Sequence, residues 1–301
     1  MTAGVEAAAA RVRPFLPPSP ALEVQPGRWV KLECLQPAGS FKVRGYLAAA
    51  LAMPEERRRR GLLTVSAGNA AAGCAFAAHT LGVSCRVVMV DSAPAPKVEA
   101  VRRWGATPVF LPRARLFDWM AKREWVSEPE VFVHPHEDEE LAAGHGGLGL
   151  ELLEQAPGLA RVVVPVGGGG LVTGVAAALQ GRPEVEVVGA VPAGYPMWPD
   201  ALTEAPGAPP PAGTIADGTV APYNPVMAAR LAAAVDRWVV VPEERLRRAV
   251  AALVRDAHVV AEGAGALAYA ALGELEDAGP AAAIVSGGNL DPALLRELLT
   301  E

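Results

Sequence analysis

Lys42 is the residue of this chain whose type and position most clearly suggest chemistry. It follows residues 29–35, whose alternating apolar side chains predict a strand, and Pro37 should end that strand. Ser40 is predicted to cap the helix that comes next. The helix dipole disfavours a cation in the first turn, so the pKa of Lys42 should be lowered or its amine used covalently.

The scarcity of lysine strengthens this interpretation. Only four of the 27 basic residues are lysines, namely Lys31, Lys42, Lys97 and Lys122. Arginine cannot form a Schiff base, whereas lysine can, so a lysine at a helix start in an arginine-rich chain indicates that an amine is needed there. The alternative is a solvated surface lysine, which is what most lysines are.

Three further turns carry polar or glycine residues where a predicted strand ends. Asn69 opens a predicted helix after the strand at residues 62–66, and it could also be an ordinary helix cap. Ser286 follows the strand at residues 281–285 and could also belong to a simple turn. A third strand, at residues 161–166, leads into the tetraglycine loop formed by Gly167, Gly168, Gly169 and Gly170. The N–H groups of such a loop suit an anion such as a phosphate, with a flexible turn as the alternative.

The order of the predicted elements indicates an α/β fold. From residue 62 onward, short apolar strands alternate with helical stretches long enough to cross over a sheet, so the sheets should be mainly parallel. We predict a helix at residues 139–155 that is interrupted at residues 144–147. We also predict a long loop at residues 192–225, with prolines at 209–211. Open α/β sheets place ligands at the carboxyl ends of their strands, so the four segments above should meet.

Composition argues against several classes of protein. A formal net charge of −6 over 301 residues does not suit a nucleic-acid surface. No apolar segment is long enough to span a membrane and no signal peptide is recognisable, so we expect a cytoplasmic protein. Cys34, Cys74 and Cys85 should be buried free thiols, and no residue spacing predicts a metal site. Scarce amides with abundant arginine and proline suit a thermophile or a GC-rich genome.

Residues 35–45, Leu-Gln-Pro-Ala-Gly-Ser-Phe-Lys-Val-Arg-Gly, resemble the lysine segment of the serine/threonine dehydratases. These belong to the tryptophan-synthase-β-like group, the fold type II pyridoxal-phosphate enzymes, and the other three segments match in the same order. The resemblance implies two three-layer αβα domains with mainly parallel sheets and pyridoxal 5'-phosphate in the cleft between them. Carried over, residues 1–47 and 141–301 form the large domain and residues 48–140 a small inserted one.

The resemblance also gives each segment a role. Lys42, preceded by Phe41, would hold the cofactor as a Schiff base, and the tetraglycine loop with the N–H of Leu171 would hold its phosphate. Asn69 would bind the ring oxygen and Ser286 the ring nitrogen. The substrate carboxylate would be held by the turn that consists of Ser66, Ala67, Gly68, Asn69 and Ala70.

The implied activity is an α,β-elimination on a small amino acid. L-Threonine, L-serine or both would be converted to a 2-oxo acid and ammonia, with the neutral amine of Lys42 removing the Cα proton. A homodimer or another homo-oligomer is the habit of the family, and neither a nucleic acid nor a membrane is expected as a partner.

Several positions depart from the family pattern and leave the substrate open. Where the dehydratases have His, Gln, Gln, Thr and Glu, this chain has Ala70, Ala72, His145, Gly147 and Val191. In the family these positions line or approach the substrate pocket, so the changes should enlarge it and alter its polarity. His145 is a candidate substrate contact, with a solvated loop histidine as the alternative.

Two changes separate the chain from related serine racemases. Those enzymes hold a divalent cation with a glutamate at the position of Val191 and use a serine at that of Ala67 as a second acid/base. We therefore expect neither a metal site nor two-base racemisation. Asp217 and Glu262 lie in segments that match the family and either border the cofactor or act as structural caps.

Other functions remain open at this point. β-Replacement, as in cysteine synthases, is disfavoured because that family prefers Asn-Pro before its lysine and a threonine in its phosphate loop. Threonine synthase and amino-acid racemase stay possible. A non-catalytic binding protein that kept the fold is a further alternative, and the intact Lys42 argues against it.

Overall fold

Two sheets, one of six strands and one of four, form the framework of the chain. The computed structural model describes residues 2–199, 213–275 and 279–300. The larger sheet contains β1 (Ala21–Gln25), β2 (Arg28–Leu32), β7 (Arg161–Pro165), β8 (Glu186–Pro192), β9 (Arg237–Val241) and β10 (Ala281–Val285). Its strand order is β1-β2-β10-β7-β8-β9, and every neighbouring pair is parallel except β1 with β2.

The smaller sheet is entirely parallel. Its strands are β3 (Leu62–Val65), β4 (Cys85–Val90), β5 (Thr107–Leu111) and β6 (Val131–Phe132), in the order β5-β4-β3-β6. All four come from the part of the chain between β2 and β7, which is what an inserted domain requires. Two domains with parallel sheets confirm the predicted fold class, while the exact boundaries at residues 47/48 and 140/141 stay a prediction.

Helices connect and cover both sheets. In chain order they are α1 (Thr2–Val12), α2 (Lys42–Ala52), α3 (Glu55–Arg58), α4 (Asn69–Thr80), α5 (Ala95–Arg102), α6 (Arg113–Ala121), α7 (Glu139–Gln155), α8 (Gly170–Ala178), α9 (Pro225–Ala234), α10 (Glu243–Asp256), α11 (Gly263–Leu272) and α12 (Pro292–Thr300). The sequence of α10 shows why such a helix forms. Its buried residues Leu246, Ala249, Val250 and Leu253 recur at the helical period and face the core.

The larger sheet is buried on both faces. Every residue of β7 and β10 is buried, and alternate side chains enter different cores. Val163 packs into one core with Ala283, whereas Val162 and Val164 pack into the other. A third core joins α2 and α4 to the smaller sheet, and it contains two of the cysteines. Strands buried on both sides explain the nearly continuous apolar runs of the sequence.

The strand before Lys42 is shorter than predicted. It ends at Leu32, because residues Glu33–Leu35 form a 3-10 turn that directs Glu33 into a buried ion network. Strand β1 and helix α9 were not predicted at all. The predicted loop at 192–225 does lie between β8 and α9, although its prolines at 209–211 fall outside the described residues.

Helix α7 runs without the predicted interruption at residues 144–147. The glycines serve close helix packing instead of a break. A methyl group on Gly144 would come within 2.4 Å of Cβ of Ala48 on α2, and one on Gly146 within 2.5 Å of the carbonyl oxygen of Gly174 on α8. Three helices therefore approach one another here more closely than a side chain would allow.

None of the helices described is both long and apolar enough to cross a membrane.

Candidate active site

Lys42 is the first residue of α2, as predicted, and its side chain is partly exposed. Within the described part of the chain, no hydrogen bond or ion pair holds Nζ, which lies 4.9 Å from the ring centroid of Phe41. Burial lowers the pKa of the amine from 10.5 to about 8. A lysine in this state is readily neutral, so it can act as a nucleophile or as a base.

Ser40 does not cap α2, contrary to the prediction. Phe41 holds the cap position and no side chain bonds to the helix start. Ser40 forms a backbone bridge with Gly287, and its buried hydroxyl has no partner among the described residues. The N–H of Phe41 donates to the carbonyl of Ser286 at 3.0 Å. The loop before Lys42 is therefore fastened to the end of β10, and its backbone bonds replace the expected cap.

A buried ion network supports α2 below Lys42. Arg44 donates to Glu33 from Nε at 2.7 Å and from Nη2 at 2.9 Å, and to Glu151 from Nη1 at 2.7 Å. Glu151 also accepts from Nζ of Lys31 at 2.5 Å, and Glu33 accepts from the hydroxyl of Ser19 at 2.5 Å. Since each charge has a partner, the network joins β2, α2 and α7 without an uncompensated buried charge.

Asn69 begins α4 and reaches across the cleft to the larger domain. Its Nδ2 donates to Oε1 of Glu262 at 2.5 Å, and its Oδ1 accepts from Nδ2 of Asn289 at 2.8 Å. Asn69 is not a helix cap, because Gly68 holds that position and no side chain bonds to the helix start. The amide instead joins the start of α4 to the segments that precede α11 and follow β10.

The turn that leads into α4 leaves room for a small anion. Ser66, Ala67, Gly68 and Asn69 are partly exposed, and the hydroxyl of Ser66 accepts from the N–H of Gly68 at 3.0 Å. A methyl group on Gly68 would meet no atom within 4 Å. The first N–H groups of any helix lack an acceptor within it, so the start of α4 can receive a carboxylate. Substrate binding at this turn stays a prediction.

Glu262 and Asp217 are not structural caps. Glu262 stands at the cap position of α11, but its side chain makes no cap bond there and binds Asn69. Burial raises the pKa of Glu262 to about 7, and the hydrogen bond from Asn69 opposes that rise. Asp217 pairs with Nζ of Lys97 at 2.7 Å on the surface. Both carboxylates therefore bind residues of the smaller domain.

The tetraglycine loop joins β7 to the start of α8. Gly169 has a φ of +89°, a conformation that glycine adopts without strain. A methyl group on Gly167 would come within 2.8 Å of Cα of Thr219, and one on Gly168 within 2.2 Å of Nδ1 of His136. The surroundings thus leave no room for a side chain at Gly167, Gly168 or Gly169. A helix start with close backbone N–H groups is an anion site. The side chain of Leu171 is buried in the core, which leaves only its N–H for a ligand.

His136 is a site residue that sequence reasoning missed. It comes four residues after β6, and its ring lies against Gly168. Burial lowers the pKa of His136 well below its usual range, and the positive charge of Lys42 adds to this effect. A signal existed in the sequence, because His136 follows a predicted strand end as Asn69 and Ser286 do.

Ser286 lies directly after β10 and is 4% exposed. Its Oγ is 3.4 Å from the carbonyl oxygen of Ala264, which is long for a hydroxyl hydrogen bond. The hydroxyl is therefore available to a better partner. Ser286 lies beside the loop that precedes Lys42, because its carbonyl oxygen accepts a hydrogen bond from the N–H of Phe41.

His145 lies inside α7 and has no exposed surface. Its ring meets that of Phe41 edge-on, with 4.7 Å between centroids, and within the described residues neither ring nitrogen has a hydrogen-bond partner. Burial keeps the pKa of His145 well below its usual range, with a further contribution from the charge of Lys42. The alternative of a solvated loop histidine is wrong. Direct substrate contact is incompatible with this burial, so His145 can act only through Phe41.

The other departures from the family pattern lie in the hydrophobic cores. Ala70, Ala72 and Val191 are buried there, and Gly147 faces α1, where a methyl group would meet Cβ of Ala9 at 3.4 Å. These side chains do not line the cleft, so the expected enlargement of the pocket by them is not found. In the described part of the chain, no group of three His, Cys, Asp or Glu residues could hold a metal ion.

The fold and these residues define a pyridoxal-phosphate-dependent enzyme of fold type II. The model of the pyridoxal-phosphate dependent enzyme family matches residues 14–287, and the chain belongs to this family. It is 38% identical over 285 residues to L-threonine ammonia-lyase of Thermotoga maritima, a match that covers 91% of this chain and 70% of the relative.

Two solved structures extend the comparison. Maize serine racemase superposes with a TM-score of 0.91 at 29% identity, covering 99% of this chain and 96% of that one. The threonine deaminase of T.th. superposes with a TM-score of 0.86 at 34% identity, covering 96% of this chain and 98% of that one.

The residues of the cleft fit pyridoxal phosphate. Lys42 offers an amine without a partner in the described residues, and Ser286 a nearly uncommitted hydroxyl. The tetraglycine loop offers backbone N–H groups at a helix start, and a Cβ at Gly167, Gly168 or Gly169 would clash with neighbouring atoms. An aldehyde, a ring nitrogen and a phosphate are the groups that such residues accept.

Proposed function

We propose that this enzyme converts L-threonine, L-serine or both to a 2-oxo acid and ammonia by α,β-elimination. The observation that carries the proposal is the Lys42 amine, which is unpartnered among the described residues and has a pKa of about 8. Lys42 stands at the start of α2, where a methyl group on Gly73 of α4 would come within 2.8 Å of its Cβ, and the N–H of the preceding Phe41 donates to the carbonyl of Ser286. The identity to an L-threonine ammonia-lyase supports the reaction class.

Each predicted site residue has a task in this proposal. Bound pyridoxal phosphate supplies an aldehyde that captures amines and a ring that withdraws electrons from the substrate's Cα. Lys42 would hold the aldehyde, with Phe41 beside it. Asn69 would bond to the ring oxygen and Ser286 to the ring nitrogen. The N–H groups of Gly167, Gly168, Gly169, Gly170 and Leu171 would hold the phosphate.

The substrate is oriented by the turn at residues 66–70, whose N–H groups hold its carboxylate. A carboxylate fixed there would direct the Cα–H bond toward the amine of Lys42. The amine would take the Cα proton, and a proton returned to the β-hydroxyl would let it leave as water. A water molecule would then enter to release the 2-oxo acid and ammonia. A low pKa suits Lys42 for removal of the Cα proton, because a neutral amine is needed to accept a proton.

The test is an assay of 2-oxo acid release by the purified enzyme with pyridoxal phosphate. L-Serine, D-serine, L-threonine and 3-hydroxyaspartate should be compared, with ammonia measured in parallel. We expect release from L-threonine, L-serine or both, in equal amounts with ammonia. No release from any of the four would contradict the proposal.

Lys42→Ala tests the role of the lysine in this assay, and His79→Gln is its control. Lys42→Ala should abolish both the visible absorbance of the cofactor bond and the activity, because no other amine takes its place. His79→Gln, on the exposed last turn of α4, should retain both. A Lys42→Ala enzyme that keeps its colour and its turnover would refute the role of Lys42.

Racemisation is the second candidate, because maize serine racemase superposes closely on this chain. Ala67 lies in the partly exposed turn at the cleft, and its methyl group has no proton to transfer. We therefore expect chiral chromatography of L-serine reactions to show no D-serine. Its accumulation would favour the racemase.

We also propose that the enzyme is cytoplasmic and forms a homodimer or another homo-oligomer. The usual assembly of the family supports the oligomer, and the free Cys34, Cys74 and Cys85 suit a reducing compartment. Light scattering on the purified protein would test the mass.

A further inference from the structure

The tetraglycine loop is surrounded by polar side chains that are already hydrogen-bonded. The indole N–H of Trp198 donates to the carbonyl of Gly167 at 2.5 Å, and the hydroxyl of Thr173 donates to that of Gly169 at 3.0 Å. The hydroxyl of Thr219 donates to the carbonyl of Ala216 at 2.7 Å. Each of these donors is committed to the backbone, so none of them has a proton left for a ligand.

His136 differs from them. Its Nδ1, Cγ and Cε1 all lie within 2.5 Å of where a methyl group on Gly168 would stand, so the ring rests directly on the loop. Within the described part of the chain, no hydrogen bond engages its ring nitrogens. A neutral imidazole always carries one N–H donor and one acceptor. An uncommitted donor therefore lies against the backbone cradle.

The position of the ring is fixed by its neighbour. Nδ1 of His134 accepts from the backbone N–H of His136 at 3.3 Å and from that of Glu137 at 3.0 Å. Glu137 in turn accepts from Nδ2 of Asn224 at 2.6 Å. The segment that carries His136 is thus tied to the start of α9, and the ring is held over Gly168 before any ligand arrives.

We propose that His136 is a cofactor-binding residue whose ring N–H donates a hydrogen bond to the phosphate held by the tetraglycine loop. This inference rests on the proposed use of pyridoxal phosphate. The three terminal oxygens of a phosphate can together accept more hydrogen bonds than the backbone N–H groups of the loop supply. His136 adds a side-chain donor on the side of the loop that faces the smaller domain.

The test uses two probes that lack the aldehyde and so cannot bond covalently to Lys42. They are 4′-deoxypyridoxine 5′-phosphate and 4′-deoxypyridoxine, which differ only in the phosphate. Calorimetric titration of the apoenzyme gives the affinity for each. Because a hydrogen bond to a charged group is lost, His136→Phe should weaken the phosphate probe at least about tenfold. The probe without phosphate should change less than about twofold, since phenylalanine keeps the packing on Gly168.

Conservative and remote variants separate a phosphate contact from simple packing. His136→Gln keeps an N–H donor and should recover most of the lost affinity. His79→Gln changes an exposed histidine at the far end of α4, about 15 Å along the helix from Asn69, and should change neither affinity. Circular dichroism checks the fold of each variant, and His136→Leu replaces His136→Phe if the latter does not fold.

Three results would overturn the inference. The first is an unchanged affinity of His136→Phe for the phosphate probe, and the second is an equal loss for both probes. The third is a wild-type apoenzyme that does not distinguish the two probes. That last result would also remove the proposed phosphate site, whereas the first two would leave the proposed function intact.

Discussion

Burial changes the pKa of the Lys42 amine and with it the pH range in which the amine is reactive. The amine has no charged partner in the described residues, so burial alone lowers its pKa from 10.5 to about 8. The neutral form is the reactive one, and it exists above the pKa. In the apoenzyme, acylation of Lys42 should therefore rise as the pH passes about 8, and not only near 10.5.

Competitive acetylation followed by mass spectrometry of the Lys42 peptide measures this midpoint. Lys42→Ala identifies the peptide by its loss of label. A midpoint close to 10.5 would show that the amine is hydrated like a surface lysine, and the basis for its role as a base would be gone.

At the scale of elements, two glycines of α7 allow a matched pair of alanine substitutions, one at a tight helix contact and one at a looser contact. Gly144→Ala should destabilise the protein by about 1–3 kcal/mol or more, because the new methyl would overlap Ala48 and the carbonyl of Arg44. Gly147→Ala should be neutral or stabilising by up to about 1 kcal/mol, since alanine favours a helix and Ala9 lies at an ordinary contact distance.

Urea unfolding of the two apoenzymes measures the difference. Equal midpoints for both variants would mean that α2 and α7 can move apart at no cost, and that the glycines do not set their spacing.

The sequence predicts what depends on local pattern. The strands β7 and β10 and the helix α4 follow from apolar runs and turn residues, and so do the ends at which Lys42, Asn69 and Ser286 lie. The break expected in α7 was wrong because a glycine's helix penalty is local, whereas the packing that offsets it comes from α2 and α8.

Contacts between distant segments could not be predicted from the sequence either. Ser40 looked like a cap, but the end of β10 satisfies that backbone instead. His145 was a candidate substrate contact or a solvated loop histidine, because its glycine neighbours suggested a break in the helix. The contact of His136 with Gly168 joins two different domains, which no local pattern records.

At the scale of the molecule, the surface pair of Lys97 and Asp217 joins the smaller domain to the larger one. Both side chains are exposed, so Asp217→Asn should change global stability by less than about 1 kcal/mol. It should nevertheless speed backbone hydrogen exchange in α5, because one of the bonds that joins the smaller domain to the larger one is lost.

Asp118→Asn is the control, since Asp118 pairs with Lys122 within a single segment and is equally exposed. High salt should make the wild type behave like Asp217→Asn by screening the pair. Identical exchange in Asp217→Asn and the control would show that the pair does not restrain the domains.

The asparagine that spans the cleft has one more consequence. Asn69 donates one of its two amide N–H groups to Glu262, and its amide oxygen accepts from Asn289. A ligand that takes the N–H now bonded to Glu262 therefore displaces that carboxyl. Glu262 then loses the bond that holds its pKa down to about 7 and keeps a proton more firmly. Binding of such a ligand is therefore coupled to uptake of a proton near neutral pH. Because the buffer supplies that proton, the measured heat of binding should change with the buffer's heat of ionisation.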